Sequence, residues 1–208
     1  MPVNIIAIGG TELEEYIKSV PAIANQSIRM AINSTASGKG MSLIKRSMLN
    51  EVAFPSGYLN ADRLKLTKRA TQTNLEATIT GRKRATSLAR FVTGGAVVAG
   101  SKMGGGVQVR VKKGKTTFLK NAFLVRLNKG ASLTEDNYNI GLAVRLSAGE
   151  TLANKRSQHK SWLVPGRVAL LYGPSVDQVF AEVADKVAPK VGDMVAAEFH
   201  RNFARLSK

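Results

Sequence analysis

Cysteine is absent from this 208-residue sequence, histidine occurs twice and tryptophan once. Without cysteine there can be no disulfide and no thiolate metal site. Aromatic residues make up only 6%, which leaves Ile, Leu, Val and Ala to fill the core of a chain that is 44% hydrophobic. No apolar run approaches the roughly 20 residues needed to cross a bilayer. The first residues show no basic segment, long apolar core or cleavage site of a secretory signal, so a cytoplasmic origin is the expectation. Catalytic signatures are missing as well: there is no H-E-x-x-H, C-x-x-C or G-x-S-x-G. Gly95 and Gly100 have phosphate-loop spacing, but Ser101-Lys102 follows in the reverse of the order such a loop needs. His159 falls in a polar loop and His200 on the outer side of a helix, where both read as surface residues. The sequence therefore predicts a protein that is not an enzyme and uses no metal and no cofactor.

Acidic residues are the other scarcity. Asp and Glu number 14 against 31 Lys and Arg, a net charge of +17. From Lys39 to Lys129 stand 19 basic residues and only three acidic ones, Glu51, Asp62 and Glu76, so this block carries nearly the whole excess. Three scattered carboxylates cannot hold the Mg²⁺ of a nuclease. What the block can do is attract polyanions or acidic protein surfaces. Its cations fall in three clusters: Arg63, Lys65, Lys68 and Arg69; Arg82, Lys83 and Arg84 with Arg90; and Arg110, Lys112, Lys113 and Lys115. Two readings stay open, a phosphate-contacting surface and ordinary solvated strand faces and turns. No aromatic residue is interleaved with the clusters, so sequence-blind contact is expected where nucleic acid is met.

Periodicity orders the rest. Thr11 and Glu14 read as a capping box opening a helix whose stripe runs through Ala24, Ile28, Ala31 and Ile32, kinked at Pro21 and ended by Gly38 and Gly40. Met41, Ile44, Met48 and Val52 predict a second helix, broken at Phe54-Pro55-Ser56-Gly57. Alternation predicts strands at 75–80 and 107–112, with further strand candidates at 118–127, 140–146 and 168–171, separated by a glycine-rich stretch and two long polar loops, the second holding Trp162. Just after Tyr172-Gly173-Pro174, Ser175 and Gln178 read as a capping box, which opens a long C-terminal helix with Phe180 in its apolar stripe and a split or kink at Pro189. The expected fold is α+β in a single 1–208 domain. N-terminal helices (1–55) are followed by a basic, mostly antiparallel β part (60–172) and a C-terminal helix (175–206).

Four segments in this order resemble the minor tail protein Z family of tailed bacteriophages. They are Arg29-Met30-Ala31-Ile32-Asn33-Ser34-Thr35-Ala36; Gly81-Arg82-Lys83-Arg84 with Ser87 to Phe91; the valine–cation alternation from Val107 to Lys115 leading to Ala122-Phe123; and Leu170 to Val176 with Gln178-Val179-Phe180. The most specific piece is Tyr172, Gly173, Pro174 and Ser175 followed by Gln178 and Phe180. The insert at 93–106 and the extended loops depart from the pattern. The resemblance implies a structural virion protein, assembled in the host cytoplasm, that completes the head-proximal end of a long tail and takes part in head–tail joining at the neck. It also implies a ring, expected to be hexameric, around the DNA channel. Tail-terminator, tail-tube and head-connector proteins would be its neighbours, double-stranded DNA would pass through nonspecifically, and no membrane would be involved.

Six copies of the basic block would carry roughly 96 positive charges, against about 25 phosphates on the duplex spanned by one such globule. Most cations would therefore face acidic neighbours or solvent. The alternative expectation is a sequence-nonspecific nucleic-acid-binding protein.

Overall fold

The computed structural model describes residues 10–94, 105–127, 140–145, 163–164 and 168–208, with side chains except in 10–18 and 163–164. Helix α1 (Gly10–Ser37) and helix α2 (Lys39–Glu51) come first. Strands β1 (Leu64–Lys68), β2 (Thr78–Gly81) and β3 (Ala85–Ser87) follow, then a 3-10 turn (Leu88–Phe91). Next are β4 (Gly106–Val109), β5 (Thr117–Lys120), β6 (Ala122–Arg126), β7 (Ile140–Arg145), β8 (Leu163–Val164) and β9 (Val168–Ser175). The long helix α3 (Val176–Leu206) closes the chain. This is the expected α+β order of helices, antiparallel strands and C-terminal helix. The chain divides into two compact units, one of Met1–Lys45, Lys65–Thr80 and Val183–Lys208, the other of Arg46–Leu64 and Gly81–Glu182. Neither coincides with one of the three consecutive parts expected from the sequence.

In the first unit, small residues let α1 pack closely. Ser27, Ala31 and Thr35 are its buried positions, four residues apart, with Ile28 and Ile32 half-buried beside them. The Ser27 hydroxyl donates to the Ile23 carbonyl at 2.7 Å, satisfying itself within the helix. Gly38 ends α1 as expected, whereas Gly40 lies inside α2, where a Cβ would stand 2.7 Å from the Thr35 carbonyl oxygen. The Asn33 side chain copies a backbone pairing. It donates to the Ala70 carbonyl and accepts from the Ala70 N–H, both at 2.9 Å, which fixes the segment after β1 on α1. Strands β1 and β2 pair, with Thr67 and Thr80 hydroxyls bonded at 2.8 Å across them. Helix α1 continues through Pro21 and α3 through Pro189, so of the two outcomes expected at Pro189, a split or a kink, the split does not occur. The side chain of the expected cap Thr11 lies outside those described.

The second unit holds a five-stranded sheet in the order β3-β9-β7-β6, with β8 also on β9, and a β4–β5 hairpin. Every pairing in both is antiparallel. Central β7 buries Gly141, Leu142 and Ala143 consecutively, as a strand covered on both faces does. Val107 and Val109 of β4 are buried while Gln108 and Arg110 are exposed, as their alternation predicts. The single strand expected over 118–127 is two, because Asn121 takes a positive φ of 61° between β5 and β6. The strand expected from Leu75 starts only at Thr78, and Leu75 is exposed. The strand expected over 168–171 is longer: Tyr172 to Ser175 continue β9 along β3. Pro174, which has no N–H to give, falls where the register shifts, between Gly173 opposite Thr86 and Ser175 opposite Ala85.

Candidate anion-facing site of the second unit

A proline-glycine turn builds the centre of the site. Tyr58 N–H bonds the Pro55 carbonyl at 3.0 Å, with Gly57 at φ +70°, and this turn drops Tyr58 into the core at 3% exposure. Its ring stacks on Phe54 at 5.2 Å and 12°, and Phe54 in turn meets Phe91 at 5.8 Å. A second turn at Asn60 brings Arg63 back over the same ring, its guanidinium carbon 4.2 Å from the centroid. Arg63, expected as an exposed cation, is 7% exposed and donates to the Tyr58 carbonyl at 2.9 Å. Its buried charge rests on a π face and a carbonyl dipole.

Two further guanidiniums converge on that ring. Arg90 lies 5.4 Å and Arg82 5.8 Å from its centroid. Arg82 also donates to the Tyr58 hydroxyl at 2.6 Å, and that hydroxyl donates to Thr86 Oγ1 at 3.2 Å. Gly81 makes the approach possible: a Cβ there would stand 2.7 Å from the Asp177 Cα, at the start of α3, and Asp177 N–H bonds the Arg82 carbonyl at 3.2 Å. Three guanidiniums thus share one phenol ring as a common support.

Backbone hydrogen bonds draw the basic clusters of this unit together. Arg82 N–H bonds the Arg63 carbonyl at 2.7 Å, and Arg110 N–H bonds the Phe91 carbonyl, next to Arg90, at 2.8 Å. Lys112 forms a β-bridge with Val52, and Lys113 Nζ reaches Asn50 Oδ1 at 3.0 Å. The site therefore has two tiers. Arg82 and Arg90 are half-buried against Tyr58, whereas Lys83, Arg84, Arg110, Lys112, Lys113 and Lys115 are all exposed. Lys65, Lys68 and Arg69 are exposed in the first unit, where Lys68 pairs with Glu76 at 3.3 Å.

The strand-to-helix joint of Tyr172 to Phe180 frames the same unit. Ser175 N–H bonds Gln178 Oε1 at 2.9 Å and Gln178 N–H bonds Ser175 Oγ at 3.1 Å, the reciprocal capping box read from the sequence. Phe180 corrects an expectation: it is only half-buried, because the buried stripe of α3 runs through Val176, Val179, Val183 and Val187. Phe180 follows Val179 by one residue and so sits on the flank of that stripe. His200 is exposed. His159, Trp162, residues 95–104 of the glycine-rich insert and most of both polar loops lie outside the described residues.

Tyr58, the aromatic support of three arginines, and the exposed Phe118 escaped the sequence reading. Tyr58 lies five residues before the first cluster, and Phe118 three residues after the last. Strand parity held a signal for Phe118, since it shares a face with Lys120 rather than with Leu119. Chemically, guanidinium and ammonium groups hold oxyanions, and Arg does not shuttle protons at ordinary pH. Among the described residues, no group of three or more His, Asp or Glu could hold a metal ion, and no helix is long and apolar enough to cross a membrane. Comparison with known proteins finds no matching family model, no matching curated protein and no matching solved structure.

Proposed function

We propose that this chain is a structural assembly protein of the tail-completion kind, acting at the head-proximal end of a phage tail and in head–tail joining. In this reading it forms a ring with copies of itself around the DNA channel, within the virion. Its exposed cations face acidic surfaces of neighbouring tail and head-connector proteins and, for a minority, the phosphates of passing DNA. The observation that carries the reading is the single sign of one described stretch of the second unit, from β4 to β6. Between residues 105 and 127 there are six basic residues and no acidic one, on the β4–β5 hairpin and β6, while Val107 and Val109 on the hairpin's other face are buried. Sequence-blind docking onto acidic partners needs such a face and needs no catalytic pocket. The compact joint from Tyr172 to Gln178, where the family resemblance is most specific, supports the same reading. A stand-alone nucleic-acid-binding role is the second reading, favoured by the exposed ring of Phe118.

Particles in which every copy carries Lys112→Gln, Lys113→Gln and Lys115→Gln test the assembly role. Negative-stain counts should show unjoined full heads together with free full-length tails. Short or absent tails would place the protein earlier in assembly, and normal virions would contradict the proposal.

A further inference from the structure

The β4–β5 hairpin turns an aromatic ring to solvent among cations. Directly opposed residues of an antiparallel pair share a face. The register therefore places Gly106, Gln108, Phe118 and Lys120 together on one face. Val107 and Val109, the buried residues of β4, occupy the other with Leu119. Phe118 is 59% exposed, the most open of the large hydrophobic side chains described. Its ring reaches diagonally over Gly106, where a Cβ would meet Phe118 Cζ at 2.6 Å. The bare glycine thus gives the ring a flat seat against the strand.

Exposure of such a ring forgoes some 2 kcal/mol of burial, so a partner that covers it gains directly. Charge selects the partner. Arg110, Lys112, Lys113, Lys115 and Lys120 are exposed on the same hairpin, so a second copy of this face would be repelled. A strand of nucleic acid supplies both complements, phosphates for the cations and a base face for the ring. In a duplex the base faces are already covered by their neighbours; in a single strand they are free.

We propose that the β4–β5 hairpin is a binding site for single-stranded nucleic acid, with Phe118 as a base-stacking platform and Arg110, Lys115 and Lys120 as phosphate contacts. Sequence preference should be weak, because every base presents a π face. The inference rests on the reading that these cations meet nucleic acid and is independent of any role in head–tail joining. If joining is unimpaired while strand binding holds, only the assembly role falls.

The test uses the full chain with fluorescently labelled oligothymidylate and, separately, a duplex of equal length, followed by anisotropy. Wild type should prefer the single strand. Phe118→Ala should weaken single-strand binding between about fivefold and a hundredfold, the range for losing one stacked base, and leave duplex binding unchanged. Phe118→Leu keeps the apolar bulk without the flat ring and should lose as much, while Phe118→Tyr should retain binding. Unchanged single-strand affinity in Phe118→Ala and Phe118→Leu would overturn the proposal, as would equal losses on single strand and duplex. Phe118-dependent binding of polyglutamate would overturn it too, and would assign the face to an acidic protein.

Discussion

At the scale of single residues, Tyr58 is the hinge of the account. It is both a core aromatic and the common support of Arg63, Arg82 and Arg90. Its hydroxyl accepts from Arg82 and donates to buried Thr86, so Tyr58→Phe leaves two partners short of a hydrogen bond without opening a cavity. The expected loss is about 1–3 kcal/mol, measured by denaturant unfolding. A loss under about 0.5 kcal/mol would mean that water replaces the phenol freely and that the arginines do not depend on it. None of this was legible in the sequence, where Arg63, Arg82 and Arg90 look like the lysines beside them. What separates them is distance in the chain. The Pro55–Tyr58 turn, the turn at Asn60 and the bond from Arg82 to the Arg63 carbonyl bring them together, and no local pattern announces those contacts.

Among the elements, local chemistry was legible wherever it was self-contained. The break after α2, the in–out alternation of β4 and the capping box of α3 each depend on residues within a few positions of one another. For that box the expectation is quantitative. Ser175→Ala removes the acceptor of the Gln178 N–H and should cost about 1 kcal/mol. Ser175→Asp, which still accepts, should restore most of it. Equal stability of Ser175→Ala and wild type in thermal unfolding would show that the helix start is held by packing alone.

Elsewhere partners decide. Strand β1 was hidden because its exposed residues are Lys65, Thr67 and Lys68, whose lysines read as part of a charge cluster. The break at Asn121 was hidden because one asparagine stands alone between two apolar-rich runs, and only that residue carries the positive φ. The extension of β9 through Pro174 was hidden because a proline signals an end unless a neighbouring strand accommodates it with a register shift. Phe180 followed the apolar stripe of α3 in sequence, yet the valines take the buried positions.

For the molecule as a whole, charge is partitioned as well as abundant. The second unit holds 19 of the 31 basic residues and seven of the 14 acidic ones; the first holds 12 and seven. The second unit therefore carries most of the positive excess, and its described hairpin adds a single-signed face to it. The central claim is that these exposed cations engage a polyanion rather than merely stand in solvent. Each phosphate neutralised contributes about −0.9 to the slope of log affinity against log salt. The most direct measurement is that slope for duplex DNA, in wild type and in the Lys112→Gln, Lys113→Gln, Lys115→Gln variant. The account predicts weak binding that collapses as salt rises and a slope shallower by up to about three units in the variant. Stability should change little, since exposed substitutions usually shift it by no more than about 0.5 kcal/mol each. Identical slopes for the two proteins would contradict it and reduce the hairpin to a solvated surface.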